Sequence, residues 1–203
     1  METSQQGTSF LSYSNVGIMV VTWPTIIETF ATSSKHPVDF IRLLQKVLLN
    51  FDQLLLAEKF TALVKITGSH SQFIVTSGIS KSDRSEIKEN HLKTLLSFAT
   101  SMKETVKAFS DPLVGDIDLR IGIHCGPVKA GFIGPHGLHF DIWGTTMDVA
   151  MRLERSGKIG SIQVSEEFAK SQEKTYNFYE EDCVIGPSYF VQTYIFDEFA
   201  TNK

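Results

Sequence analysis

The segment 139-HFDIWGTTMDVAMRL-153 decides how this chain is read. It reads as a strand, a glycine turn at Gly144 and the start of a helix. Asp148 and Arg152 are four residues apart, so a helix places them on one face. Asp141 stands just before the turn. Three charges therefore converge on one turn of a half-apolar segment, which points to chemistry as well as to folding.

Working outward, the helix begins near Thr145 and ends by Gly157. On its amino-terminal side, "DIDLRIGIHCG" (116–126) alternates like a strand, and "GPVKAGFIG" (126–134) reads as a turn and a second strand. Glycines 122, 126, 131 and 134 are expected to mark a tight hairpin; without GxxxxGK they form no phosphate loop. Downstream, "SIQVS" (161–165) reads as a strand, with Ser165 able to cap the short helix "EEFAKS". "YNFYEEDCVI" and "YFVQTYIF" read as a final strand pair.

Toward the amino terminus, "VGIMVV" (16–21) is a buried strand, and Pro24 sits near the first turn of a short helix. Residues 38–57 carry a helical apolar stripe: Phe40, Leu44, Val47, Leu48, Phe51 and Leu55. "ALVKI" (62–66) and "SQFIVTSG" (71–78) read as a hairpin, and a long helix from about Leu92 to Phe109 ends at Pro112 and Gly115. The fold class expected is α/β (α+β): a ferredoxin-like βαββαβ core, a mixed sheet and helices packed on one face. One domain, 15–197, is expected between an amino-terminal tail, 1–14, and a short tail, 198–203.

The composition suits a globular core: 203 residues, 42% of them apolar, with 15 Phe. A net charge of −4 with scattered Lys and Arg does not favour nucleic acid as a partner. Two cysteines without CxxC spacing fit a reducing cytosol, and Cys125 is expected in the core. The polar first residues carry no visible signal peptide. No apolar run approaches the roughly 20 residues that span a bilayer. The chain as given is expected to be soluble.

Several side chains are candidates for chemistry, each beside a plainer reading. Lys65, in "VKITGS", is either an edge lysine or a ligand-reading amine. Asp141 is either a cap for the following helix or its acceptor counterpart. Together they suit adenine: an ammonium donates to ring N1, a carboxylate accepts from the exocyclic amine, and guanine offers the opposite polarity. Arg152 matches phosphate oxygens, or else pairs with Asp148 or Glu154. His136, His139 and Asp141 allow a metal reading, but nothing closes the ligand set. A Ser–His–Asp hydrolase would lack its GxSxG elbow.

"LRIGIHCGPVKAGFIG", "FDIWGTTMDVAMRLERSG" and "IQVSEEF" resemble the catalytic domain of class III nucleotidyl cyclases. "VGIMVVTWPTIIETF", "FIRLLQKVLLNFDQLLLAEKF" and "VKITGSHSQFIVTSGI" resemble the second cytoplasmic half of transmembrane adenylyl cyclases. The resemblance covers about 15 to 197. It implies half of a heterodimer that converts ATP to 3′,5′-cyclic AMP and pyrophosphate. Lys65 and Asp141 would read adenine, Arg152 would offset phosphate charge, and Asp148 would stand where the family orients the ribose with asparagine. Ser69 would line the companion pocket where forskolin binds in many relatives.

The family's two metal-aspartate positions read Thr22 and Ser69. The resemblance therefore implies that two Mg²⁺ or Mn²⁺ ions are held by a first-half partner domain and not by this chain. Ser188 falls near the place of a lysine that contacts the terminal phosphates. Asp148 and Ser188 keep a second reading open, a weak or inactive module that regulates a partner cyclase. The family's G-protein α-subunit site, here around 32–40 and 110–118, makes such a subunit a candidate partner. The implied location is the cytosol, or the cytosolic face of the plasma membrane through a longer parent protein.

Overall fold

A computed structural model describes residues 10–32, 37–79, 85–108, 110–111, 114–133, 139–185 and 190–201. Strand β1 (Phe10–Thr22) leads into α1 (Pro24–Thr32) and α2 (Pro37–Leu55). β2 (Leu63–Gly68) and β3 (Phe73–Ser77) form the expected hairpin, followed by α3 (Ser85–Lys107). A short ribbon, β4 (Ser110–Asp111) with β5 (Gly115–Asp116), precedes the long β6 (Arg120–Ile133). Then come β7 (His139–Trp143), α4 (Thr145–Ser156), β8 (Ile162–Ser165) and α5 (Glu166–Gln172). β9 (Tyr176–Ile185) and β10 (Phe190–Thr201) close the chain.

The sheet runs β2-β3-β1-β6-β8-β10-β9, with β7 also paired to β6. Every pairing in it is antiparallel except β6 with β8. The order β2-β3-β1-β6, with helices between β1 and β2 and between β3 and β6, is the ferredoxin-like core. Alternation along β1 splits its apolar side chains between two faces. Met19 and Val21 meet α2, α3 and α5 through Val47, Phe51, Leu95 and Phe168. Val16, Ile18 and Val20 join Ile66, Ile142 and Ala150 on the opposite face, which α4 covers. Stacked helices on one face are thus present, and α4 is an addition to the other.

Gly122 permits that addition. A Cβ there would lie 2.2 Å from Glu154 N and 2.6 Å from Ala150 O, so backbone of α4 occupies the space a side chain needs.

Three expectations differ from what the structure shows. Residues 120–133 form one strand, not two strands joined by a turn at Gly126–Pro127. Pro127 has no N–H to give a ladder, yet here none is needed. Tyr13 pairs Val128 while Val16 pairs Gly126, so Ser14 and Asn15 bulge opposite Pro127. The antiparallel partner that follows β6 in the chain is β7 instead, and residues 134–138 between them lie outside the described residues. Of the tail expected over 1–14, Phe10 to Ser14 belong instead to β1, where Phe10 pairs Gly131 and packs edge-on against Trp143, and residues 1–9 lie outside the described residues. At the other end β10 extends to Thr201, beyond the expected boundary at 197.

Ser165 caps α5 as expected, accepting from the Phe168 amide at 3.3 Å. Cys125 is buried, and burial, with Glu167 adding, pushes its thiol up to about 12, so it is inert core. No helix among the described residues is long and apolar enough to cross a membrane.

Candidate functional site

β7 and α4 carry three of the candidate residues. Phe140 and Ile142 turn into the apolar cluster beneath α4, so alternation points Asp141 the other way. Its Oδ1 accepts from the Ile142 amide at 2.8 Å. The helix-cap reading of Asp141 is corrected: the N-cap of α4 is Gly144, at φ +141°, with no side-chain cap bond. Met147, Ala150 and Met151 of α4 face the cluster, which leaves Asp148 and Arg152 on a half-buried outward stripe. Arg152 Nε donates to Asp148 Oδ2 at 3.2 Å.

Lys65 comes from β2, which approaches β7 through the same cluster, where Val64 and Ile66 meet Ile142. The two strands come close without pairing in the sheet, and the two side chains do not bond to each other. The Lys65 ammonium donates to both oxygens of Asp52 on α2, at 2.6 and 2.8 Å. It also lies 5.0 Å from the centre of the Phe73 ring. The fold therefore brings the two candidates onto strands that approach each other without pairing, and does not join the side chains.

Thr22 and Ser69 are each committed to protein partners. The Thr22 hydroxyl donates to Glu154 Oε1 at 2.5 Å, and Arg120 Nε donates to the same oxygen at 2.8 Å. Glu154 is only 4% exposed, so this is a buried carboxylate satisfied by one cation and one hydroxyl. Ser69 Oγ accepts from the Ser71 and Gln72 amides at 3.3 and 3.2 Å, holding its own turn. These residues do not fit a pair of divalent cations. Such ions demand oxygen ligands with carboxylates among them, and the carboxylate beside Thr22 is already neutralised by Arg120.

His139 is exposed, and His136 lies outside the described residues, as does Ser188. Among the described residues no group of three or more His, Cys, Asp or Glu could hold a metal. Asp52, Arg120 and Glu154 are the residues that sequence reading missed or misplaced. Glu154 was an alternative partner for Arg152, yet its bond to Arg120 spans 34 residues of chain, which no local pattern signals.

A mixed sheet in this order, with a strand–glycine–helix unit bearing Asp141, Asp148 and Arg152, defines a nucleotidyl cyclase catalytic domain. Residues 10–196 match the family described as the adenylate and guanylate cyclase catalytic domain, and the chain belongs to it. It is 32% identical over 139 residues to an adenylate cyclase of Mycobacterium tuberculosis (strain H37Rv), covering 68% of this chain and 30% of that protein. It is 36% identical over 129 residues to adenylate cyclase type 9 of Gallus gallus, covering 62% of this chain and 10% of that protein. The chain thus spans under a third of either curated relative.

Solved structures share the fold. The guanylate cyclase domain of RhGC from Catenaria anguillulae, in complex with GTP, superposes with a TM-score of 0.78 at 22% identity, over 92% of this chain and 98% of that one. The adenylyl cyclase CyaB from P. aeruginosa gives 0.79 at 16% identity, over 95% and 97%.

Proposed function

We propose that this chain is the metal-free half of a heterodimeric adenylyl cyclase. It would convert ATP to 3′,5′-cyclic AMP and pyrophosphate when paired with a first-half domain that holds two Mg²⁺ or Mn²⁺ ions. The carrying observation is at Thr22, whose hydroxyl stands where the family places a metal aspartate and is spent on the buried Glu154–Arg120 pair. Adenylate cyclases among its relatives support cyclisation as the reaction.

In this reading the chain's own residues orient and neutralise substrate. Lys65 donates to adenine N1 and Asp141 accepts from the exocyclic amine. Arg152 stabilises charge that develops on the reacting phosphate. The metal ions, on the partner, supply an activated 3′-oxygen and a neutralised leaving group. Ser69 lines the companion pocket. A G-protein α subunit would dock near 32–40 and 110–118, of which 33–36 and 112–113 lie outside the described residues. Attachment to a membrane would come only through a longer parent protein.

The test mixes this chain with a metal-competent first-half domain, Mg²⁺ or Mn²⁺ and ATP. Cyclic AMP above the level of the partner alone is expected, and none from this chain alone. Cyclisation of magnesium–ATP by the chain alone would overturn the composite site.

A second reading has its own observation. The Arg152–Asp148 bond ties the phosphate-facing guanidinium to a carboxylate that also repels ATP. With Ser188 near the family's phosphate lysine, the chain then serves as a regulatory module that binds a partner cyclase and turns over ATP poorly. Normal partner binding with no added cyclic AMP would favour it.

A further inference from the structure

Lys65 is not merely near Asp52; three features fold it back toward α2. Asp52 takes its ammonium with both carboxylate oxygens, at 2.6 and 2.8 Å. The Phe73 ring lies under the charge at 5.0 Å. Gly68 leaves the path open, since a Cβ there would lie 2.8 Å from Lys65 Cε and 3.1 Å from Nζ. Two of these features flank Lys65 on the β2–β3 hairpin, and the third reaches across from the preceding helix.

We propose that Asp52 is a latch on base recognition, holding the Lys65 ammonium against α2 until an adenine competes for it. The inference rests on the reading of Lys65 as an adenine-N1 donor. A carboxylate and adenine N1 compete for one donor, so the fraction of latched Lys65 lowers apparent ATP affinity. The pair is partly exposed, with side-chain accessibilities of 33% and 43%, so the latch is weak and reversible. Guanine presents a donor at N1, so an ammonium placed to read that atom finds no acceptor there. Asp52 thus tunes the preference between ATP and GTP without touching either nucleotide.

Two variants open the latch by different routes. Asp52→Asn removes the charge that holds the amine. Gly68→Ala places a methyl 2.8 Å from Lys65 Cε, closer than carbon atoms pack, and the flexible lysine side chain yields before backbone does. Acetylation of lysines in the full-length chain by an N-hydroxysuccinimide ester, read by mass spectrometry, reports the amine directly. Lys107, exposed at the end of α3, serves as internal reference. Both variants are expected to raise Lys65 acetylation about two- to five-fold over Lys107.

In the mixture with the first-half domain, both are expected to tighten a fluorescent ATP analogue by about the same factor and leave the GTP analogue unchanged. Unchanged Lys65 reactivity in both variants overturns the latch itself. Raised reactivity with unchanged ATP affinity shows the latch opening without effect on the base. That outcome overturns the reading of Lys65 as base reader, and with it the role proposed for Asp52.

Discussion

Arg152 Nε lies 3.2 Å from Asp148 Oδ2, and an i,i+4 pair of this exposure contributes about 0.3–0.5 kcal/mol to the helix. Under the role proposed for Arg152 its larger consequence is electrostatic, because an anion beside a guanidinium that is to meet phosphate opposes an anionic substrate. Asp148→Asn is expected to raise cyclic AMP formation by the mixture on the order of 5-fold. A fall in rate would contradict the repulsion argument. Arg152→Ala is expected to lower turnover by roughly 10²–10³-fold with little effect on substrate binding, as for a contact made mainly in the transition state. Lys65→Ala or Asp141→Ala is expected to relax the preference for ATP over GTP, read by competition between the two. The Asp148–Arg152 bond was legible in the sequence because helical spacing is local. The Lys65–Asp52 bond was not, since it depends on how α2 lies against β2.

At the scale of elements, α4 is held to the sheet by a close backbone approach and a buried ion pair. Gly122→Ala would drive a Cβ into Glu154 N and Ala150 O, both backbone atoms that cannot rotate away. The expected loss is about 3 kcal/mol or more, checked by denaturant unfolding. Glu154→Gln leaves Arg120 without its anion. It is expected to destabilise the domain by roughly 3 kcal/mol and to lower turnover by loosening the helix that carries Arg152. A variant as stable as the parent would remove the anchoring role. The β7–Gly144–α4 unit was readable from its own residues. The continuity of β6 was not: Gly126–Pro127 has the local chemistry of a turn, and only the bulge in β1 makes room for it in a strand.

For the whole molecule, the sheet buries polar groups on both of its faces, and two are histidines. His91 bonds Ser77 at 2.9 Å, and His124 bonds Ser165 at 2.7 Å. Burial lowers both below the ordinary 6.5, partly opposed at His124 by Glu167. Below that value the unfolded chain binds protons that the folded chain resists. Their contribution is therefore fully present above about pH 6.5 and is lost as pH falls toward the folded-state values. Unfolding free energy is expected to be lower at about pH 5.5 than at about pH 7.5, with His124→Asn flattening the slope. A slope unchanged by that substitution would assign the acid sensitivity elsewhere.

The amino-acid sequence by itself determined the ferredoxin-like order of elements, the helix face shared by Asp148 and Arg152, and the hydroxyls at Thr22 and Ser69. Periodicity, turn chemistry and side-chain type are local properties. The tertiary structure alone decided that α4 covers the second face, that Thr22 joins Arg120 on Glu154, and that Lys65 leans on Asp52. Each of those joins separate elements, and sheet register and helix docking set such contacts where no spacing along the chain can.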